Sequence, residues 1–582
     1  MTTALRNVLL LVTLALSAWV PPAAAQPTAS PSQTAKRPPS IIIILADDMG
    51  YGDLGVYGNK EIPTPNIDAL AAAGVRFTDG YVTCPICAPT RAALLSGRYQ
   101  QRFGFETNPG PAQQASDKFG LPRSERTLAE KMKEAGYANG MFGKWHLGYK
   151  DELQPQQRGF DEFFGFLSGA HTYMPGEGRG RRGGGYNEGI VRNGKPVEEK
   201  EYLTEAFARE AAAFIGKHSG AGAAGSSTPY FVYLPFNAVH GPMEATQKYR
   251  DRFPQIKDDN RRTFAGMLSA LDDAVGRVMA AVKESGQEEN TLVFFFSDNG
   301  GPTPQTTASN LPLRGYKTQV LEGGIRVPFI MKWPGHVPAG KVYAQPVVSM
   351  DIHATALAAA GWKEPFATGG AKNDAKPLDG RDLLPFVGAK VDGAATANAG
   401  PHEALFWRMG NQWAVRKGDW KLVSQGGGGG RRGGNAGGAG GAGGQLFNLR
   451  EDIGETNDLA AKMPEKVAEL RKAYDEWNAK NIAPMWRRSE GAGDDDDGGA
   501  AGAGGAGGGR GRSAAQVRST FESLDTDKDG FLTEAEYAMA PPAAAPRSFA
   551  QIDSNKDAKL SLEEVTAAFA GGRQQRRRPG GI

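Results

Sequence analysis

Cysteine is nearly absent: 582 residues include two, Cys84 and Cys87. That excludes a disulfide-stapled scaffold, so the fold must rest on apolar packing. Charge of one sign is also missing. A net charge of +3 argues against a dedicated nucleic-acid binder. Beyond the N-terminus there is no long apolar run, so no stable membrane insertion is expected. The one such run, Val8 to Val20, follows Arg6 and precedes Ala23-Ala24-Ala25. It reads as a secretory signal over 1–25 with a small-residue cleavage site; an uncleaved anchor is the alternative. The mature chain is expected in the periplasm or outside the cell, opening on a Pro/Ser/Thr-rich leader over 26–39.

Glycine, by contrast, is abundant. Its 79 residues are roughly twice average usage. Most of the excess lies in tracts read as loops and linkers: 176–185, 426–444 and 487–513. With 40% hydrophobic residues, the rest is long enough for at least two cored domains.

Ile41 to Leu45 is a short β-branched run, read as a buried parallel strand that ends in Asp47-Asp48-Met49-Gly50. Adjacent carboxylates at a strand's C-terminal end need a cation to balance them. In an open α/β sheet that edge is also where ligands bind. A polar loop with an Asp cap is the plainer reading; a divalent-metal site of oxygen donors is the functional one. Leu292 to Ser297 is a second buried strand, running into Asp298-Asn299-Gly300-Gly301. An Asx turn fits that tetrapeptide as well as metal binding does. Helices are expected over Pro65–Gly74, Thr127–Ala135, Tyr202–Ile215 and Arg261–Lys283. Further strands are expected at Val75–Phe77, Tyr137–Phe142 and Pro229–Leu234, and Arg158 to Gly165 reads as a packed turn.

Between these elements lies Cys84-Pro-Ile-Cys87-Ala-Pro89-Thr-Arg91, which enters a helical pattern near Ala92. On spacing alone the cysteine pair fits a local disulfide, a redox pair, plain thiols or half a zinc site, although nothing completes the last. Cys87 falls at a helix N-terminus, where free N–H groups favour a reacting or anionic group.

The continuation Cys87-x-Pro89-x-Arg91, with Ser96-Gly97-Arg98 downstream, resembles the signature of the sulfatase family. Further strings resemble the same family, in the same order. They are Asp47-Asp48-Met49-Gly50-Tyr51-Gly52-Asp53-Leu54, Gly143-Lys144-Trp145-His146-Leu147-Gly148, His240-Gly241-Pro242, Ser297-Asp298-Asn299-Gly300 and the segment holding Lys317. The resemblance covers roughly Ser40 to Lys480. It implies an alkaline-phosphatase-like α/β fold: a central mixed sheet flanked by helices over 40–400, and a small antiparallel-sheet subdomain over 401–486. It also implies that Cys87 is oxidised to formylglycine by a maturation enzyme. Asp47, Asp48, Asp298 and Asn299, with the residue at 87, would hold one calcium ion. Arg91 would stabilise the nucleophile, Lys144 and Lys317 would contact sulfate, and His146 or His240 would protonate the leaving alcohol. The expected substrate is a sulfate ester, either aryl or carbohydrate and possible as a polysaccharide. His171 reads as a loop histidine or a weak subsite candidate, and His353 as structural or peripheral. The alternatives are a phosphodiesterase or phosphonate hydrolase of the same superfamily, or a calcium-dependent interaction protein on a degenerate scaffold.

Near the C-terminus, Asp525-x-Asp527-x-Asp529-Gly530 with Glu536 fits a calcium loop of the EF-hand type, glycine at its turn included. Asp553-x-Asn555-x-Asp557-Ala558 with Glu564 repeats it with alanine at the turn, so the second loop is expected to bind more weakly. An all-α EF-hand pair over 514–571, holding up to two calcium ions, is therefore expected before a basic tail at 572–582.

Overall fold

The computed structural model describes residues 37–110, 115–175, 189–219, 228–362, 376–388, 400–426 and 444–486. Of the C-terminal segment it describes 521, 524–525, 527, 529–538 and 549–565. The expected signal segment, most of the leader, the glycine tracts 176–185 and 427–443, the linker 487–513 and the basic tail lie outside the described residues. The chain divides into two compact units, 1–501 and 502–582. No helix among the described residues is long and apolar enough to cross a membrane.

In chain order the first unit contains strands β1 (Ser40–Ala46), β2 (Val75–Phe77), β3 (Gly80–Tyr81), β4 (Ala138–Lys144), β5 (Glu162–Phe166) and β6 (Val191–Arg192). There follow β7 (Lys195–Pro196), β8 (Tyr230–Pro235), β9 (Thr291–Ser297), β10 (Phe329–Lys332), β11 (Lys341–Tyr343) and β12 (Val347–Val348). Ten of them form one mixed sheet, in the order β11-β2-β10-β9-β1-β8-β4-β5-β6-β7. The centre, β9-β1-β8-β4-β5, is wholly parallel.

A parallel sheet needs cover on both faces, and β1 shows how the sequence meets that need. Ile41, Ile43 and Leu45 enter one apolar core, with the helices Cys87–Ser96, Leu128–Glu134 and Asp351–Ala359. Ile42 and Ile44 enter the other, with Pro65–Ala72, Leu203–Lys217 and Asp259–Glu284. Every residue of the Ile41–Leu45 run is fully buried.

The sequence reading needs two corrections. The stretch expected as a packed turn contains β5, which pairs in parallel with β4. Its Phe163, Phe164 and Phe166 are buried on both faces, so it lacks the polar alternation that marks a half-exposed strand. The small antiparallel sheet has four strands, β13 (Leu405–Met409), β14 (Gln412–Lys417), β15 (Trp420–Ser424) and β16 (Gln445–Asn448), where the sequence pattern marks three, at 414–416, 420–423 and 446–449. Helix Pro464–Asn478 buries Leu470, Tyr474 and Trp477 in the same core. Trp407 of β13 donates from Nε1 to the Val82 carbonyl at 2.7 Å, just ahead of Cys84.

A buried ionic cluster ties the small sheet to β3, the turn before it and the segment 322–326. Lys421 Nζ lies 2.8 Å from Glu322 and 2.9 Å from Glu455, all three without solvent exposure. The Tyr81 hydroxyl donates to Glu322 at 2.6 Å. Asp79 takes Arg416 at 2.6 Å and Arg326 at 3.1 Å. Three cations thus face three carboxylates, the balance that makes such burial tolerable.

In the second unit, β17 (Phe531–Leu532) pairs antiparallel with β18 (Leu560–Ser561). Short helices cover Glu534–Ala538 and Phe549–Ile552. Phe521, Leu524, Leu532, Tyr537, Ile552, Leu560 and Val565 form its core.

Burial alone would push the Glu322 carboxyl up, but Lys421, Arg326 and Arg416 together hold it below the usual 4.5. A depressed value adds stability that is complete above the unfolded glutamate range and is lost as the pH falls below it. The destabilisation by Glu322→Gln is therefore expected to be larger at pH 7 than at pH 3. Paired thermal melts check this, and an equal loss at both pH values would contradict the ionic role.

Candidate active site

Strand direction brings the chemistry to one edge. Ala46 of β1 stands opposite Ser297 of β9, and Leu45 opposite Pro235 of β8. The residues that follow, Asp47-Asp48, Asp298-Asn299 and the turn to His240, leave the sheet side by side. Lys144 ends β4 at the same edge. It follows Gly143, whose φ of +136° and a would-be Cβ 2.0 Å from the Pro235 carbonyl admit only glycine.

Cys87 is the first residue of its helix, with Ile86 as the extended N-cap. Its Sγ lies 3.5 Å from Asp47 Oδ1. Both cysteines are free and buried, so the disulfide reading does not hold here. One turn on, Arg91 sends Nε and Nη2 to Asp298 Oδ2 at 3.0 and 2.7 Å. Its Nη1 donates to the Lys144 carbonyl at 3.0 Å, and Nη2 lies 3.5 Å from Asp47. Lys144 Nζ donates to Asp47 at 2.8 Å. Lys317 Nζ lies 3.1 Å from Asp48 Oδ1, and His240 Nε2 lies 3.6 Å from Asp48 Oδ2. Asn299 Nδ2 donates to Asp48 Oδ1 at 2.7 Å.

The electrostatics follow from this packing. Burial would raise Asp47, yet Lys144, His240 and Arg91 hold it below the usual carboxylate range. Burial pushes the Cys87 thiol far up, and Asp298 adds to the push. Burial works against the charged form of Lys144, but Asp47 keeps its ammonium protonated above the ordinary lysine range.

Three observations fit these residues to a hard divalent cation. Asp47, Asp48, Cys87 and His240 each offer a ligand atom, all within 4.8 Å of one another. Asn299 Oδ1 is buried with no hydrogen-bond partner among the described residues, an acceptor that water or protein would normally satisfy. The carboxylates of Asp47, Asp48 and Asp298 add hard oxygen donors, which suit calcium or magnesium. Asp47, Asp48 and Asp298 already match Arg91, Lys144 and Lys317 in charge. A dication among the carboxylates would leave the lysines in excess, ready for an anionic substrate.

The structure thus brings together Asp47, Asp48, Cys87, Arg91, Lys144, His240, Asp298, Asn299 and Lys317. His146 is buried two residues past Lys144 with a left-handed φ of +58°, its N–H donating to the Leu167 carbonyl. His171 is buried too, its ring against Phe166 and its carbonyl facing Asn237. His353 is buried with Nδ1 facing the Leu94 carbonyl, a structural position as expected.

Three further residues support the site. The Tyr173 hydroxyl bonds the His240 carbonyl at 2.7 Å and also contacts that of Asn237. Asn108 Oδ1 accepts the Ala88 N–H at 3.1 Å, at the helix end that bears Cys87. Ser297 Oγ accepts from Met49 N–H and donates to the Asn299 carbonyl. Only Ser297 lies inside a string with a visible pattern; nothing local marks the other two.

A model of the sulfatase family matches residues 39–362. The chain belongs to the sulfatase family. This sulfatase is 35% identical over 410 residues to N-acetylgalactosamine-6-sulfatase of Sus scrofa, covering 65% of this chain and 74% of that one. It is 35% identical over 406 residues to arylsulfatase A of Homo sapiens, covering 66% and 74%. Among solved structures it is similar to Ps i-CgsB in complex with k-i-k-neocarrahexaose. That match has a TM-score of 0.68 and 34% identity over 78% of this chain and 96% of that one. Sulfate-ester hydrolysis is therefore its activity.

The burial of both thiols makes a prediction for protein in which Cys87 keeps its sulfur. Neither cysteine should react with a thiol reagent at pH 8 until the fold is opened by denaturant. Fast labelling of Cys87 in the native protein would contradict the geometry.

Proposed function

We propose that this sulfatase removes sulfate from a sulfated carbohydrate, using a formylglycine formed from Cys87 and one calcium ion. The observation that carries the reading is the placement of Cys87. It sits at a helix N-terminus, 3.5 Å from Asp47, within a buried set of three carboxylates and three cations. A carbohydrate substrate is supported by the names of two relatives, an N-acetylgalactosamine-6-sulfatase and a protein solved with a neocarrahexaose.

The formylglycine hydrate would supply the attacking oxygen and the second hydroxyl that later expels sulfate, which a plain thiol lacks. Calcium, held by Asp47, Asp48, Asp298 and Asn299, would supply positive charge beside that oxygen. The chain's own residues do the rest. Lys144 and Lys317 hold sulfuryl oxygens and take up their growing charge. Arg91, locked onto Asp298, keeps the carboxylates apart and adds a fixed positive charge. His240, turned toward Asp48 and braced by Tyr173, hands a proton to the leaving alcohol; His146 is the second candidate. A maturation enzyme that oxidises Cys87 is the required partner, and export to the periplasm or medium fits Arg6 and the apolar run after it.

In the C-terminal unit we propose a calcium-binding EF-hand pair. Asp525, Asp527 and Asp529 offer oxygens within 4.8 Å of one another, with Glu536 twelve positions into the loop. Asp553, Asn555, Asp557 and Glu564 repeat the pattern. Its turn residue Ala558 carries φ +63°, where the first loop has Gly530 at +84°. A left-handed alanine costs about 1 kcal/mol, so Ala558→Gly should tighten the second site by roughly fivefold. Calcium calorimetry on the full chain measures this, and an unchanged or weaker second site would contradict it.

The first test is the intact mass of the Cys87 peptide from natively produced protein. An aldehyde in place of the thiol is expected. Cys87→Ala should lower aryl-sulfate turnover by about a thousandfold or more. Full turnover by Cys87→Ala, or faster release of phosphate than of sulfate from matched aryl esters, would overturn the reading.

A further inference from the structure

We infer that the tip of the β13–β14 hairpin belongs to the catalytic apparatus, with Gln412 positioning Lys317 by pinning the residue that follows it. This rests on the reading of Lys317 as a sulfate-contacting group.

The residue after Lys317 is Thr318, and its φ is +76°. A β-branched residue rarely adopts the left-handed region, because its side chain crowds the backbone there. It stays only where its surroundings over-determine it. Here both backbone polar groups of Thr318 are held from outside its own loop. Its N–H donates at 2.8 Å to the carbonyl of Pro85, two residues before Cys87. Its carbonyl accepts at 2.9 Å from Gln412 Nε2. The same carboxamide accepts the Val320 N–H on Oε1 at 3.3 Å. One side chain thus closes both ends of the stretch Thr318–Val320, while the opposite side is tied to the cysteine loop.

Gln412 is placed for this by the small sheet. It opens β14 directly opposite Met409, across a two-residue turn through Gly410 at φ +57°. That register fixes where the carboxamide stands. Lys317 is 3% exposed, with Nζ on Asp48, so its aim depends on the backbone that bears it. Without the carboxamide, nothing on the hairpin side keeps the Thr318 peptide in its unfavourable conformation. The peptide turns, and the ammonium leaves the position from which it meets the sulfuryl group. The hydrogen bonds of the Gln412 side chain go to the backbone of Thr318 and Val320, so it acts as a positioning residue.

The test uses four full-length matured proteins: wild type, Gln412→Met, Lys317→Ala and the double variant. Methionine keeps the side-chain length and removes both hydrogen bonds. Each is assayed on an aryl sulfate. Each is also exposed, folded, to an amine-labelling reagent, with labelling read lysine by lysine by mass spectrometry. Gln412→Met is expected to lower kcat/KM by roughly ten- to hundredfold, the scale of a small misplacement at a reacting centre. The double variant is expected to be no worse than Lys317→Ala alone, since both changes remove one contribution. Lys317 should become reactive in Gln412→Met while Lys144 stays protected. The inference is overturned if Lys317 labelling matches wild type, or if the loss from Gln412→Met multiplies undiminished onto Lys317→Ala. Exposure of Lys144 as well would mean general loosening of the site and would equally overturn it. Absence of any sulfate turnover by wild type would count against the role given to Lys317, and the labelling would still decide whether Gln412 positions it.

Discussion

Three carboxylates buried side by side set the terms for the rest of this molecule. Asp47, Asp48 and Asp298 have no more than 1% exposure, and ionised groups in such a place are tolerated only with partners. Arg91, Lys144 and Lys317 come from a helix, a strand end and a loop far apart in sequence, and each is drawn to this point. The parallel sheet supplies the platform, because its strands all end at one edge. The glycine before Lys144 lets β4 pass close enough to β8 for the ammonium to reach Asp47. Even the small C-terminal sheet is tied in, through a second balanced cluster around Lys421 and through Gln412.

Much of this was legible in the chain. The paired aspartates after an isoleucine run, the Cys87-x-Pro89-x-Arg91 string and the Asp298-Asn299 turn each carry local chemistry. Parallel topology then converts strand ends into neighbours. What stayed hidden has a common cause. Tyr173, Asn108 and Gln412 act through side-chain hydrogen bonds to backbone groups of distant segments, and a lone Tyr, Asn or Gln bears no mark of such a bond. Strand β5 was hidden for a different reason. Its aromatic run is buried on both faces, and two glycines, Gly159 before it and Gly165 within it, mimic turn punctuation.

The two candidate calcium regions differ in kind. The buried one is assembled from distant segments and has its charges already matched by Arg91, Lys144 and Lys317, so binding there exchanges partners. The C-terminal loops are local and exposed, with ligands a few residues apart. There Lys559 of the second loop lies 2.9 Å from Asp529 of the first, so a cationic side chain of one loop already rests on a proposed ligand group of the other. Affinity in such a loop is set by charge count and turn geometry more than by the surrounding fold.

The order of strands in space has a consequence for how the chain is made. β1 lies in the middle of the sheet yet is synthesised first. Ile41 pairs with Phe231 on one side and with Leu292 on the other. At about 5–20 residues per second, its second neighbour leaves the ribosome on the order of ten to fifty seconds later. Until β8 follows, a run of four isoleucines and a leucine has neither edge paired, and until β9 follows one edge stays open. Such non-local pairing is intrinsically slow, and an unpaired β-branched run is a template for aggregation. The nascent chain therefore depends on being held open until β8 and β9 arrive, and the same run that anchors the finished sheet is the chief hazard of its assembly.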